Sequence, residues 1–287
     1  MPILEILLLV LSVAQVIFLV LIVYLYTRKS QEVGNLHKEN AELRVKTSMS
    51  DSPDVLDYDY ISMLVHELRS PLSVIKGASD LIIKEAPTLT KEQIEMLLAQ
   101  IRNSSGNLLN LVNDILDVSK MNAGRFEIKK ISNNLPSLIK ETASYIEPLL
   151  RVKSINLNIE VNGDIPTFNF DAERIRQVLN NLLSNAIKFT PKDGDITVVA
   201  KRRGDIAEVQ VKDTGGGIPD DEKPKIFHKF VQVHNNTMMK EKGTGLGLVI
   251  SKGIVEAHGG KIWVEDNKPK GALFVFTLPV ETAGGYK

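Results

Sequence analysis

Two stretches of this sequence place apolar or small residues at alternating intervals of four and three, and no other feature restricts its fold as strongly. Ile61, Val65, Leu68, Leu72, Ile75, Ser79 and Ile82 form the first series. Ile94, Leu98, Ile101, Ser105, Leu108, Val112, Ile115 and Ser119 form the second. That spacing keeps each series on one helix face as a coiled-coil-like seam. Between them, APTLTKEQ supplies Pro87 as a breaker and Thr90 with Gln93 as a capping box, so the pair is expected to be a helical hairpin. One hairpin buries only one side of each helix. Packing two copies into a four-helix bundle covers both seams, which predicts a homodimer.

Upstream, Ile6 to Tyr26 is apolar apart from Ser12, Gln15 and small residues. As a helix it spans roughly 30 Å, about one hydrocarbon core, and residues 6–26 are expected to cross a membrane. A cleaved signal peptide is the alternative, but Glu5 stands where Lys or Arg would precede it, and the run is too long for a signal-peptide core. Arg28 and Lys29 follow directly, which puts the downstream chain on the cytoplasmic side. The few residues before the anchor are not expected to hold an extracytoplasmic sensor domain. Val33, Leu36, Asn40 and Leu43 then form a short coiled-coil seam with one polar layer, and residues 46–59, rich in Ser, Asp and Thr with Pro53, read as a linker or helix break.

Lys plus Arg and Asp plus Glu each number 35, so no global basic field points to nucleic acid, and none is expected as a partner. The absence of cysteine excludes disulfides, thiolate nucleophiles and cysteine zinc sites; the five histidines do not cluster as metal ligands. From about residue 128 the pattern becomes α/β. A helix is predicted near Leu135 to Leu150, a strand from Ile155, and a helix capped by Asp171 with Ile175, Val178, Leu179, Leu182, Leu183 and Ala186 on one stripe. Further strands are predicted at Ile196 to Lys201, Glu208 to Lys212, Lys261 to Glu265 and Ala272 to Leu278. The expected fold class is thus α plus α/β: an N-terminal anchor over 1–27, a short coiled coil and linker over 28–55, a helical hairpin over 56–122 and an α/β layer domain over 128–282.

Four stretches bear on chemistry. HELRSPL places His66 opposite its seam beside Ser62, Arg69, Ser70 and Ser73, so the imidazole is expected in solvent, and Pro71 is expected to bend the helix at that turn. An exposed histidine on a bundle is more often plain surface than nucleophile, and that alternative stays open here. In RQVLNNLLSNAIKFT, Asn181, Asn185 and Lys188 make a polar stripe. Amide oxygens can complete a Mg²⁺ shell and an ammonium can meet a phosphate, whereas a solvated face is the plainer account. VKDTGGGIP sets Asp213, a possible acceptor for an exocyclic amine, ahead of Gly215, Gly216 and Gly217, where a flat ligand could approach the backbone. GTGLGL places Gly243, Gly245 and Gly247 before an apolar run, so backbone N–H groups and a helix N-terminus could cradle phosphates. A tight turn would give the same letters. The charged stretch from Asp220 to Lys242 between them suits a lid over a ligand.

Taken in order, these boxes resemble those of membrane-bound bacterial sensor histidine kinases, over about residues 55–280. The resemblance implies a dimerisation and histidine phosphotransfer domain followed by a Bergerat-type α/β sandwich that binds ATP with Mg. HELRSPL resembles the phosphoacceptor box, which implies His66 as the phosphorylated residue and Glu67 as its acid–base partner. NNLLSNAIKFT resembles the N box, with Asn185 as Mg ligand and Asn181, Lys188 and Phe189 lining the nucleotide site. DTGGGIP resembles a first glycine box, with Asp213 reading adenine beside Gly215, Gly217 and Ile218. GTGLGL resembles a second, through Gly243, Thr244, Gly245, Leu246 and Gly247. IFHKF resembles the phenylalanine box, with Lys229 at its phosphate-contacting position. Ser70 departs from the Thr or Asn usual in the acceptor box. The implied partner is a response-regulator receiver domain, and the implied location is the bacterial cytoplasmic membrane, single-pass, with the catalytic part in the cytoplasm. Chaperone and mismatch-repair ATPases have a similar nucleotide site but carry a water-activating glutamate at the position matching Asn181, and asparagine cannot serve as that base.

Overall fold

A computed structural model describes residues 55–229, 231 and 244–280, with side chains from residue 63 on. The anchor at 6–26 and the seam from Val33 to Leu43 lie outside the described residues. Among the described residues, no helix is long and apolar enough to cross a membrane. Contacts divide the chain into Met1–Asp59 and Tyr60–Lys287; apart from the first residues of helix α1, everything below belongs to the second unit.

The hairpin consists of α1 (Val55–Glu85) and α2 (Lys91–Asn122). Helix α1 runs from Val55, so residues 55–59 of the stretch expected to be a linker are helical, which corrects the end of that stretch. Pro71 lies within α1 without ending it. The capping box forms as the sequence predicts. The Gln93 N–H donates to Thr90 Oγ1 at 3.3 Å, and the Thr90 N–H donates to Gln93 Oε1 at 2.9 Å. Along the seams Leu68, Leu72, Ile75 and Ile82 are only half-buried, and Val65 and Leu98 are exposed. The last turn of α2 closes on Ala123 and Gly124, where the Arg125 N–H returns to the Lys120 carbonyl.

The α/β part is a five-stranded sheet in the order β2-β4-β5-β7-β6, formed by β2 (Asn156–Asn162), β4 (Asp195–Arg203), β5 (Ile206–Asp213), β7 (Ala272–Pro279) and β6 (Ile262–Asp266). Only β2 and β4 run parallel. Register lines up Val198, Val211 and Phe274 across three strands, with Ala200, Val209 and Phe276 in the next such row. Since alternate residues of a strand share a face, these rows form one apolar surface. It joins the buried stripes of α3 (Leu135–Lys153), α4 (Ala172–Phe189) and α5 (Gly247–Ala257) in a single core. The α4 stripe runs Ile175, Val178, Leu179, Leu182, Leu183, Ala186 and Ile187, and truncating any of its leucines to alanine should cost about 2–5 kcal/mol. Leu111 and Val118 of α2 belong to the same core.

Two short strands are absent from the sequence reading. Strand β1 (Ile131–Asn133) pairs antiparallel with β3 (Phe168–Phe170) in a separate two-stranded sheet. Three residues are too few to display a period of two, so only the tertiary pairing reveals them.

Candidate functional site

His66 projects from α1 with its side chain 71% exposed, on a face shared with exposed Arg69, Ser70 and Ser73. The sequence expectation of an outward imidazole therefore holds. Glu67, the next residue, is much less exposed, and its Oε1 lies 3.9 Å from His66 Nδ1. That separation is within ion-pair range but too long for a hydrogen bond. Among the described residues, no hydrogen bond, ion pair or ring contact joins His66 to the residues expected around the nucleotide.

Of those residues, Asn181, Asn185, Lys188 and Phe189 lie on the second half of α4, with Gly247 against Asn181 and Gly215 against Phe189. Asp171 caps this helix, with Oδ1 accepting from the Arg174 N–H at 3.1 Å, and its apolar stripe turns the asparagines to the helix flank. Asn181 is half-buried and its Nδ2 donates to the Gly247 carbonyl at 3.1 Å and to Ser251 Oγ at 3.3 Å. It therefore joins α4 to the first turn of α5. Asn185 is half-buried and makes no hydrogen bond to another described residue. Lys188 Nζ lies 5.3 Å from the Phe189 ring centroid, and Phe189 is 47% exposed. At the start of α5, Gly245 has φ +67, Leu246 is fully buried, Thr244 Oγ1 accepts from the Leu246 N–H at 3.3 Å, and no side chain caps the helix. Among the described residues, no side chain accepts from the first-turn N–H groups that begin at Gly247. Gly243 lies outside the described residues.

Asp213 ends β5 and is 4% exposed. Its Oδ1 accepts from the Gly215 N–H at 2.8 Å and the Ala272 N–H at 3.1 Å. Burial pushes its carboxyl above the usual range, and these two N–H groups pull the other way. Oδ2 takes no hydrogen bond from a described residue, so one oxygen is fixed and the other is available. Gly215 packs so closely that a Cβ would meet the Phe189 carbonyl at 2.6 Å. This glycine brings the end of α4 against the end of β5, a packing role that the sequence reading had not separated from ligand approach. Gly217 has φ +75 and Ile218 is half-buried against the core. Of the expected lid, Ile226 is buried and Phe227 meets Phe274 edge-on at 6.5 Å; its base is held by Lys223, whose Nζ bridges Asp220 at 2.6 Å and Asp266 at 2.8 Å. Lys229 donates to Asn122 Oδ1 at 2.9 Å, so it engages the end of α2.

A second polar cluster lies between α2 and α4, around a cleft of about 550 Å³ that reaches Asn181. Buried Asp117 accepts from Arg174 Nη1 at 2.7 Å and Gln177 Nε2 at 3.1 Å, and the Arg174 guanidinium stacks 4.8 Å from the Phe126 centroid. Neighbouring Asp114 has its pKa raised to about 6 by burial and by the Asp117 charge. The sequence reading did not identify this cluster. Its one local signal is an aspartate near the end of an apolar-periodic helix.

The arrangement fits a nucleotide with Mg²⁺. Among the described residues, no three acidic or histidine side chains gather as a metal site. A cation here would take one amide oxygen from Asn185 and complete its shell from phosphates and water, as Mg²⁺ commonly does.

Comparison with known proteins agrees. Residues 58–124 match the His Kinase A (phospho-acceptor) domain, and residues 170–282 match the histidine kinase-, DNA gyrase B-, and HSP90-like ATPase. The circadian input-output histidine kinase CikA of Synechococcus elongatus is 36% identical over 84% of this chain and 32% of its own length. Full-length ShkA in complex with AMPPNP is similar at 31% identity and TM-score 0.60, over 79% of this chain and 47% of that one. Histidine kinase ThkA, solved with the response regulator protein TrrA, is similar at 30% identity and TM-score 0.59, over 78% of this chain and 61% of that one. The chain thus spans less than two thirds of each of these three proteins.

Proposed function

Because this chain belongs to the two-component sensor histidine kinases, we propose that it moves the γ-phosphoryl group of ATP to His66 and then to an aspartate of a response-regulator receiver domain. The observation that carries this reading is His66 itself, since the nucleotide fold is shared with ATPases. A 71% exposed imidazole beside a carboxylate, in a chain with a nucleotide fold, is suited to accept phosphate. The ThkA complex with TrrA supports the second transfer.

Nδ1 faces Glu67, which leaves Nε2 as the attacking nitrogen. Its lone pair forms the P–N bond as the bond from the γ-phosphorus to the bridging oxygen breaks, and ADP leaves. Glu67 then accepts the Nδ1 proton from the resulting imidazolium. Asp213 Oδ2 accepts from the adenine amine, while the α5 N-terminus, Lys188 and Lys229 meet phosphate charge. Asn185 would hold Mg²⁺, which neutralises charge on the phosphates when bound. Lys229 must leave Asn122 to act, and the turn at Lys120 to Gly124 is suited to supply that movement.

The half-buried seams support a homodimer with a four-helix bundle. Residues 6–26 would anchor it in the bacterial cytoplasmic membrane, with the kinase inside. Incubating the chain with γ-labelled ATP and Mg²⁺ should give an acid-labile label that His66→Gln abolishes. Label persisting in that variant would refute the assignment.

A further inference from the structure

Asp213 is held by a turn distant in sequence. Residues 267–271 join β6 to β7, and two contacts from this turn, with a third from Ala272 at the start of β7, converge on this one aspartate. Asn267 Nδ2 donates to the Asp213 main-chain carbonyl at 2.8 Å. The Ala272 N–H donates to Asp213 Oδ1 at 3.1 Å. Gly271, with φ +118, lies so close that a Cβ would overlap the Asp213 carbonyl.

Sheet register explains why that carbonyl needs a partner. The β5–β7 ladder ends at Lys212 opposite Leu273, so Asp213 lies one residue beyond it. Its carbonyl is left to a side chain, and Asn267 supplies the donor. The peptide after Asp213 keeps its β4 contact, from the Thr214 N–H to the Asp195 carbonyl at 3.2 Å, so Asn267 is the donor that fixes its other edge and, with it, the direction of the side chain. The aspartate's free Oδ2 must point steadily at one place in order to distinguish an amine from its absence.

We infer that Asn267 is a positioning residue for base recognition: by holding the Asp213 peptide, it aims Oδ2 at the exocyclic amine of adenine. The inference rests on the nucleotide reading above. Asn267 touches no base, and acts through Asp213. Its main-chain N–H closes the turn onto the Gly271 carbonyl at 3.0 Å, and a side-chain substitution leaves that bond in place.

The test compares ATP with purine riboside triphosphate, which lacks the amine, by competition against a fluorescent nucleotide on the full chain. Wild type should prefer ATP. Asn267→Ala should reduce that preference by about tenfold, the worth of one well-placed hydrogen bond, with affinity for the amine-free analogue unchanged. Asn267→Asp keeps the size but loses the donor, and should behave the same way. Melting curves show which variants are folded. A folded variant of either kind that keeps the wild-type preference overturns the inference and leaves the nucleotide reading intact. A general loss of affinity for both nucleotides also overturns it, since that marks a structural role. Wild type that binds neither nucleotide, or both equally, overturns the adenine reading and this inference with it.

Discussion

Asp114 shows how one carboxyl can carry a cost set by its surroundings. Burial and the neighbouring Asp117 charge raise its pKa from 3.8 to about 6. A carboxyl raised on folding is destabilising when ionised, and the cost is complete above the folded value. It disappears as pH falls through about 6 towards the unfolded value, because the folded form then binds the proton first. Asp114→Asn should therefore stabilise the protein above pH 6, by about 1–2 kcal/mol once solvent screening of this partly exposed carboxyl is allowed for, and have little effect near pH 4. Denaturant titrations of both proteins at pH 7.5 and pH 4 check this; an equal gain at both would assign the effect to packing. Nothing local in the sequence betrays this shift. Asp114 and Asp117 are ordinary helix-surface letters until α4 covers them.

At the scale of elements, the ends of helices carry much of the organisation, and local letters announced most of them. The Thr90–Gln93 box and the Asp171 cap form as their spacing predicts. What the letters did not announce is that Asp171 is also a junction. Its Oδ2 accepts from the Lys129 N–H at 2.8 Å, and its own N–H donates to His258 Nε2 at 3.0 Å. His258 Nδ1 lies 2.8 Å from the Ile254 carbonyl, so the proton belongs on Nδ1, and the neutral ring ties the end of α5 to the start of α4. Burial holds its pKa below the ordinary value near 6.5, with the Lys130 charge adding to the effect. A depressed pKa makes this contribution complete above about 6.5 and lost as pH falls through that value towards the folded one. Thermal melts between pH 7.5 and 5 should show the loss most clearly in an Asp114→Asn background, where the opposing titration is absent. His258→Gln should flatten the remaining slope, and an unchanged slope would remove His258 as its source.

For the whole molecule, the hairpin seams require a partner surface. Their half-buried leucines and isoleucines should be covered by the same residues of a second chain, so a soluble fragment spanning 56–287 should sediment as a dimer. Leu72→Glu should convert it to a monomer while leaving nucleotide binding in place. A monomeric wild-type fragment would contradict the bundle.

Periodicity, caps and glycine punctuation are local properties, and they determined the helical hairpin, the outward histidine, the core stripe of α4 and all but the shortest strands. Distant pairings were decided only by the packed structure. Asp117 meets Arg174 57 residues away, and Asn267 meets Asp213 across 54. Neither partner carries a mark of the other, because the contacts arise from strand order and from one helix laid over another. Sequence spacing encodes which face of an element is apolar. Which polar groups meet follows from how those faces are stacked.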